Sequence, residues 1–112
     1  MAKTILITGA SSGLGKLTAK HFARQGWNVA ATMRTPERET ELTTYENVRL
    51  FRLDVTDRIQ VGTAIADTIA TFGRIDVVVN NAGGFLLRLF EETSEEDLLE
   101  RSAAMPVGAR RR

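Results

Sequence analysis

Eight residues near the start of the chain, Thr8-Gly9-Ala10-Ser11-Ser12-Gly13-Leu14-Gly15, have the composition and spacing of a phosphate-binding loop. Gly9 would let the chain turn sharply out of a strand, and Gly13 would remove a side chain where the backbone approaches a pyrophosphate. Gly15 would let a helix and a strand pack closely. A helix that begins near Leu14 would direct its unpaired N–H groups and its positive dipole end at the anion. The segment therefore predicts an anion site at a strand-to-helix turn.

The loop of P-loop nucleotide hydrolases is an alternative, because Gly15 is followed by Lys16. That motif requires glycine at position 10 and serine or threonine at position 17, whereas this chain has Ala10 and Leu17. Without a hydroxyl after the lysine, Mg²⁺ would lack its protein ligand. The sequence disfavours this class, and we expect Lys16 to be a solvated helix residue.

Three further segments follow the loop along the chain: Met33-Arg34, Asp54-Val55 and Asn80-Asn81-Ala82-Gly83. Together with the loop they resemble the classical short-chain dehydrogenase/reductase family, which has a Thr-Gly-x-x-x-Gly-x-Gly loop and an Asn-Asn-Ala-Gly motif after its fourth strand. The resemblance covers about residues 3–101. It implies an oxidoreductase that transfers hydride between a nicotinamide cofactor and the carbon of a carbonyl or alcohol.

The resemblance also implies a role for each segment. The loop would hold the pyrophosphate through its backbone N–H groups, with hydroxyl donors from Ser11 and Ser12. Asp54 would accept a hydrogen bond from the adenine amino group beside Val55, and the Asn-Ala-Gly segment would line the ribose and the floor below the nicotinamide. Thr8 and Asn80 would tie the fourth strand to the first. The implied cofactor-binding residues are Gly9, Ser11, Ser12, Gly13, Leu14, Gly15, Arg34, Asp54, Val55, Asn81, Ala82 and Gly83.

Plainer interpretations of three of these features stay open. Asp54 could be a carboxylate that caps a helix, and Arg34 could be an ordinary surface arginine. Asn80-Asn81-Ala82-Gly83 could be a simple turn after a strand.

The end of the second strand bears on the choice of cofactor. Relatives that prefer NAD place an acidic residue there, which binds both ribose hydroxyls. This chain has Met33 at that point, so no carboxylate would repel a 2′-phosphate, and Arg34 follows immediately. Each charge-assisted hydrogen bond to the phosphate could contribute roughly 1.5–3 kcal/mol. The sequence therefore predicts NADP(H) in preference to NAD(H).

The groups that would use the bound cofactor have no counterpart in these 112 residues. The family's catalytic serine, and a tyrosine followed four residues later by lysine, lie beyond the fourth strand. The only tyrosine here is Tyr45, and Arg49 stands four residues after it. We therefore predict no catalytic and no metal-binding residue, no turnover by this chain alone, and substrate binding only in a longer form. A non-enzymatic dinucleotide-binding module is the alternative function.

Strands and helices must bring the predicted cofactor-binding residues together. Apolar runs predict strands at residues 3–8, 27–33 and 75–80, and alternating apolar and basic residues predict another at 48–53. Helical spacing predicts helices at 14–25 and 57–73. Helix-start signals predict two more, at 35–45 after Thr35-Pro36 and at 93–104 from a capping box of Thr93 and Glu96. Strands that alternate with helices indicate an α/β fold: a three-layer, Rossmann-like parallel sheet in the order 3-2-1-4, covered by helices on both faces. Relative to the whole family this sheet would be incomplete.

The resemblance divides the chain into a partial cofactor-binding domain, residues 1–104, and a basic tail, residues 105–112, that is unlike the family. A change of reading frame, a truncation and a genuine terminus are all open explanations for the tail. In such a piece residues 75–80 would form an exposed sheet edge. We expect low stability or solubility, with most of the family's oligomer interface missing.

Composition excludes several other classes. Hydrophobic residues make up 43% of the chain and charged residues 26%, as in ordinary globular domains. The net charge of +1 gives no general attraction to nucleic acid or to a membrane surface. There is no cysteine, and no apolar run is long enough for a membrane span. We expect a cytoplasmic protein.

Overall fold

The computed structural model describes residues 2–81 and the backbone of residues 87–89. Within them the chain alternates strands and helices, with two short 3₁₀ helices between the second and third strands. The strands are β1 (Thr4–Thr8), β2 (Asn28–Met33), β3 (Val48–Arg52), β4 (Val77–Asn80) and β5 (Leu87–Leu89); the α-helices are α1 (Gly13–Arg24) and α2 (Arg58–Phe72); the 3₁₀ helices are Pro36–Arg38 and Leu42–Thr44.

The described strands form one sheet in the order β3-β2-β1-β4-β5. The first four are parallel, with Ile5 opposite Val29 on one side and opposite Val77 on the other. This confirms the predicted parallel sheet of order 3-2-1-4. β5 pairs with β4 in the antiparallel direction. The expectation that residues 75–80 would form an exposed edge is therefore wrong, because the backbone of β5 supplies the hydrogen-bonding partner.

Helices cover both faces of the sheet, as predicted. Because side chains alternate along a strand, Ile5 and Ile7 of β1 belong to one apolar cluster and Leu6 belongs to the other. The first cluster includes Ala19 and Ala23 of α1, and the second includes Ile65 of α2. β1 is buried along its whole length, which explains why its sequence reads as a continuous apolar run.

α1 packs on the sheet through its smallest side chains. Its buried residues are Gly15, Ala19 and Ala23, whereas Leu14 is 54% exposed and Leu17 is 64% exposed. Both leucines recur at helical spacing in the sequence, but neither belongs to the buried face of the helix. Small residues let the helix axis approach the strands closely.

α2 begins and ends as its sequence indicates. Asp57 is the N-cap residue, and its carboxylate accepts hydrogen bonds from the N–H groups of Ile59 and Gln60. The Gln60 side chain does not return to Asp57 as in a capping box; its Oε1 accepts from the N–H of Asp54 at 2.9 Å. Gly73 ends the helix in the left-handed conformation, with φ of 85°.

The connection between β2 and β3 is not the helix predicted over 35–45. It consists of the two 3₁₀ helices, with extended backbone at Glu39 between them (φ −78°, ψ 131°). The side chain of Glu39 folds inward, and its Oε2 accepts a hydrogen bond from the N–H of Leu42 at 2.9 Å. Leu42 itself is fully buried. The buried side chains of Glu39 and Leu42 hold the connection against the core. The helix predicted at 93–104 and the tail at 105–112 lie outside the described residues.

Candidate functional site

Three glycines shape the loop between β1 and α1. Gly9 and Gly13 have positive φ angles of 64° and 56°, which side chains disfavour. At Gly15 the constraint is space: a Cβ atom there would lie 2.1 Å from the carbonyl oxygen of Gly9 and 2.8 Å from Nδ2 of Asn81. The close helix-to-strand contact that the sequence predicted for Gly15 is therefore confirmed.

The neighbouring strands fasten this loop from both sides. From β2, the carbonyl of Thr32 accepts a hydrogen bond from the N–H of Ala10 at 3.0 Å. The hydroxyl of Thr32 donates to the carbonyl of Ile7 at 2.8 Å. On the β4 side, Nδ2 of Asn81 donates to the carbonyl of Gly9 at 3.2 Å. The loop is thus held in place before any ligand binds.

Thr8 and Asn80 join the ends of β1 and β4. The Thr8 hydroxyl donates to Oδ1 of Asn80 at 2.9 Å, and both residues are buried. The structure therefore supports the tie between the first and fourth strands that the family resemblance implied.

The first turn of α1 has the properties of an anion site. The opening N–H groups of any α-helix have no carbonyl partner within the helix, and they carry the positive end of its dipole. Ser12 is the N-cap residue, and within residues 2–81 its side chain makes no capping hydrogen bond to the helix. Ser11, Ser12, Gly13 and Leu14 are all exposed. A phosphate group could reach these N–H groups and the hydroxyls beside them.

A cavity of about 430 Å³ opens beside the loop, at the carboxyl ends of β2 and β3. It combines cationic side chains with apolar ones, which suits a nucleotide with a phosphate group at one end. Its lining residues are Gly9, Ser11, Met33, Arg34, Thr35, Arg38, Leu53, Val55 and Thr56.

Four of the residues predicted to bind the cofactor line this cavity: Gly9, Ser11, Arg34 and Val55. Ser12, Gly13, Leu14 and Gly15 form the adjoining start of α1, and Asn81 lies against the loop. Asp54 stands between two lining residues, Leu53 and Val55. Ala82 and Gly83 lie outside the described residues.

Asp54 is held as a charged acceptor rather than as a helix cap. Its Oδ1 accepts hydrogen bonds from both the hydroxyl and the backbone N–H of Thr56, at 2.7 and 3.0 Å. These bonds, and to a smaller degree the nearby charge of Arg34, lower the pKa of Asp54 below its ordinary value. The capping role belongs to Asp57. A carboxylate at position 54 could accept a hydrogen bond from an amino group of a ligand.

Lys16 does not act on the cavity. Its ammonium group pairs with the carboxylates of Glu41 at 3.0 Å and Glu39 at 3.1 Å. Hydrogen bonds from Lys16 to Glu41 and Glu39 raise the pKa of the lysine. Lys16 is a helix residue, as expected, but the expectation that it is solvated is wrong, since its side chain is only 19% exposed. Lys16 is paired with two carboxylates and does not line the cavity, whereas the cations Arg34 and Arg38 do.

The sequence reasoning missed Thr35, Arg38, Leu53 and Thr56 as lining residues. One signal for Arg38 was available: it lies four residues after Arg34, within a segment that begins directly after β2. The only tyrosine, Tyr45, packs against the apolar cluster on the α1 face of the sheet and is not a lining residue of the cavity.

Two negative findings concern the described residues alone. Residues 2–81 contain no group of three or more histidine, cysteine or acidic side chains that could hold a metal ion. No helix in this part of the chain has the length and apolar character needed to cross a membrane.

Comparison with known proteins gives consistent results. The family model described as short chain dehydrogenase matches residues 3–108. A solved short-chain dehydrogenase from Streptomyces avermitilis is 36% identical with a TM-score of 0.73, over 91% of this chain and 43% of that one.

Two further solved structures carry a bound cofactor. A 3-ketoacyl-(acyl-carrier-protein) reductase from Brucella melitensis, complexed with NADH, is 32% identical with a TM-score of 0.68, over 72% of this chain and 34% of that one. ElxO, with NADP bound, is 41% identical with a TM-score of 0.66, over 87% of this chain and 42% of that one.

The matched proteins are much longer than this chain. Among the curated relatives, the chain covers between 32% and 40% of their length. The matched residues of this chain include the parallel strands, the glycine loop and the residues that line the adjoining cavity. With a family model that matches nearly its whole length, the chain belongs to the short-chain dehydrogenase family.

Proposed function

We propose that this chain is the NADP(H)-binding part of an oxidoreductase that acts on a carbonyl or alcohol substrate. The observation that carries the proposal is the placement of Arg34 and Arg38 in the same cavity as Gly9 of the glycine loop. A dinucleotide with a 2′-phosphate needs an anion site for its pyrophosphate and, a short distance away, a second one for the extra phosphate. The cavity and the start of α1 offer both.

The pyrophosphate would lie at the first turn of α1. Here the exposed backbone N–H groups and the hydroxyls of Ser11 and Ser12 would donate hydrogen bonds to it. The glycine at position 15 lets the helix start lie directly beside the end of β1. The bonds from Ala10 and Asn81 hold the loop in one conformation, so little further ordering would be needed on binding.

The adenosine end would occupy the cavity. Arg34 and Arg38 would donate hydrogen bonds to the 2′-phosphate, while the apolar side chains of Met33 and Val55 would border the ring system. Asp54, kept charged by Thr56, would accept from the adenine amino group. The segment Asn81-Ala82-Gly83 would line the nicotinamide ribose, as in the family motif that it matches.

The cofactor, when bound, supplies the hydride chemistry. The residues of this chain bind and orient it, and we propose that they do not complete a catalytic site on their own. The one tyrosine, Tyr45, packs against the core, and the residue four positions after it is Arg49 rather than lysine. We therefore propose that turnover requires residues that these 112 do not contain.

Titration of the purified chain with NADPH, NADH and MgATP, followed by fluorescence, tests this function. We expect NADPH to bind at least tenfold more tightly than NADH, because each charge-assisted bond to the phosphate adds about 1.5–3 kcal/mol. ATP should bind no better with magnesium than without it. Equal affinity for NADPH and NADH would contradict the proposed preference, and magnesium-dependent ATP binding would favour a P-loop type of site.

A further inference from the structure

The segment that carries Arg34 and Arg38 also carries three glutamates, and each one is paired with a cation from another element. Glu37 pairs with Arg52 of β3. Glu39 pairs with Lys16 of α1 at 3.1 Å. Glu41 pairs with Lys16 at 3.0 Å and with Lys20 at 2.6 Å. None of the three glutamates lines the cavity, whereas both arginines do. Of the charged residues in this segment, the two arginines line the cavity and the three glutamates do not.

Arg52 contacts this segment at two points. Its Nη1 donates a hydrogen bond to the backbone carbonyl of Arg34 at 2.7 Å. Its Nη2 donates to both carboxylate oxygens of Glu37, at 3.0 and 2.6 Å. One planar guanidinium group therefore spans the chain from the first residue after β2 to the first 3₁₀ helix, between the positions of the two cavity arginines.

We propose that Arg52 is a positioning residue that sets the preference for a cofactor with a 2′-phosphate, an inference that rests on the proposed function. Its bond to the carbonyl of Arg34 fixes the backbone of a residue that lines the cavity. Its pair with Glu37 holds that carboxylate away from the phosphate, to which a free carboxylate would be repulsive. Arg52 is not a lining residue of the cavity, so it acts through Arg34 and Glu37.

The positions of Arg52 and Glu37 make the idea testable without loss of the fold. Their side chains are 54% and 55% exposed, and exposed ion pairs add little to folding stability. Arg49 is a matched control on the same strand. Among residues 2–81 its Nη1 bonds locally, to the carbonyls of Glu46 and Val48, and it is not a lining residue of the cavity.

The experiment compares 2′-phospho-ADP-ribose with ADP-ribose, which differ by a single phosphate group and lack the nicotinamide. Calorimetric titration of the unaltered chain, R52M, R52K and R49M gives both dissociation constants for each protein. The preference for the extra phosphate is the dissociation constant of ADP-ribose divided by that of 2′-phospho-ADP-ribose. We expect R52M to lower this ratio about tenfold, and R49M to leave it unchanged although it removes the same charge from β3. R52K keeps the charge but loses the two-nitrogen fork, so it should resemble R52M.

The outcomes separate the two proposals. If the unaltered chain binds neither compound, or binds both equally, the proposed function fails and the role of Arg52 fails with it. If the unaltered chain prefers the phosphorylated compound and R52M retains that preference, only the role of Arg52 fails. If R52K retains the preference that R52M loses, charge alone is responsible and positioning is excluded. A circular-dichroism spectrum of each variant verifies that the fold is intact.

Discussion

A Cβ atom on Gly15 would lie 2.1 Å from the carbonyl oxygen of Gly9. Both partners in this clash are backbone or bound directly to backbone, so neither can turn aside. The same Cβ would also lie 2.8 Å from the Asn81 amide nitrogen that bonds to Gly9. One missing methyl group therefore lets α1, the glycine loop and the end of β4 meet.

We expect G15A to lower the free energy of unfolding by about 3 kcal/mol, at the upper end of the usual cost of overpacking. On helix propensity alone, alanine would stabilise the helix by about 1 kcal/mol relative to glycine. The sign of the change therefore decides between a packing constraint and an ordinary helix position. Urea denaturation measures it, with H21A, at an exposed position of the same helix, as the control. A more stable G15A variant would contradict the close contact.

N81D tests the fastening of the loop from the β4 side. Aspartate has nearly the shape of asparagine but cannot donate the hydrogen bond to the carbonyl of Gly9. It would also place a negative charge next to the anion site. We expect NADPH to bind about tenfold more weakly, the equivalent of losing one hydrogen bond of about 1.4 kcal/mol. Unchanged affinity, measured by NADPH fluorescence, would show that Asn81 does not support the site.

Substitution of the two cavity arginines should change the choice of cofactor rather than dinucleotide binding in general. R34A and R38A should each weaken NADPH binding about tenfold or more, since each removes a charge-assisted bond to the phosphate. NADH affinity should stay within about twofold. R24A, at the exposed end of α1, is the control for loss of one positive charge. An equal loss of NADPH and NADH affinity would place the arginines elsewhere on the cofactor.

The free energy of unfolding at acidic pH should depend on Glu41. Hydrogen bonds from Lys20 and Lys16 lower the pKa of Glu41 from 4.5 to about 2. A carboxyl group whose pKa is lower in the folded state stabilises the fold fully above its unfolded pKa. That contribution should therefore be complete above pH 4.5 and be lost as the pH falls toward 2.

E41Q should flatten the stability curve between those two pH values, as followed by urea denaturation at successive pH. Because the pair lies at the surface, 0.5 M NaCl should shrink the difference between E41Q and the unaltered chain. Parallel curves for the two proteins would show that the ion pairs do not form in solution.

The sheet was predictable because its signals are local. β1 and β4 are apolar runs, and Gly73 ends α2 as a helix-stopping glycine should. The connection after β2 was not predictable in this way. Glu39 is buried there because its partners, Lys16 and the N–H of Leu42, are brought to it by the tertiary fold. The alternating charges of this segment do not reveal which of its side chains forms an ion pair with a distant residue.

The candidate site divides along the same line. The loop, Arg34 and Val55 follow from motif and position, and all of them border one cavity or its rim. Arg38 was missed because its neighbours Glu37 and Glu39 have the opposite charge, so the segment looks nearly neutral in the sequence. In the structure those glutamates pair with Arg52 and Lys16. Their negative charges are therefore balanced by cations other than Arg38, which lines the cavity.

The bonds that fasten the glycine loop join distant parts of the chain: Ala10 to Thr32, and Gly9 to Asn81. Such a loop cannot take its shape until β2 and β4 have both docked on β1. Cofactor binding is then thermodynamically linked to assembly of the whole sheet, since a ligand that binds only the folded chain stabilises it in proportion to the logarithm of its concentration. At a hundred times the dissociation constant this linkage is worth about 2.7 kcal/mol. The concentration of dinucleotide would then control how much of this small domain is folded.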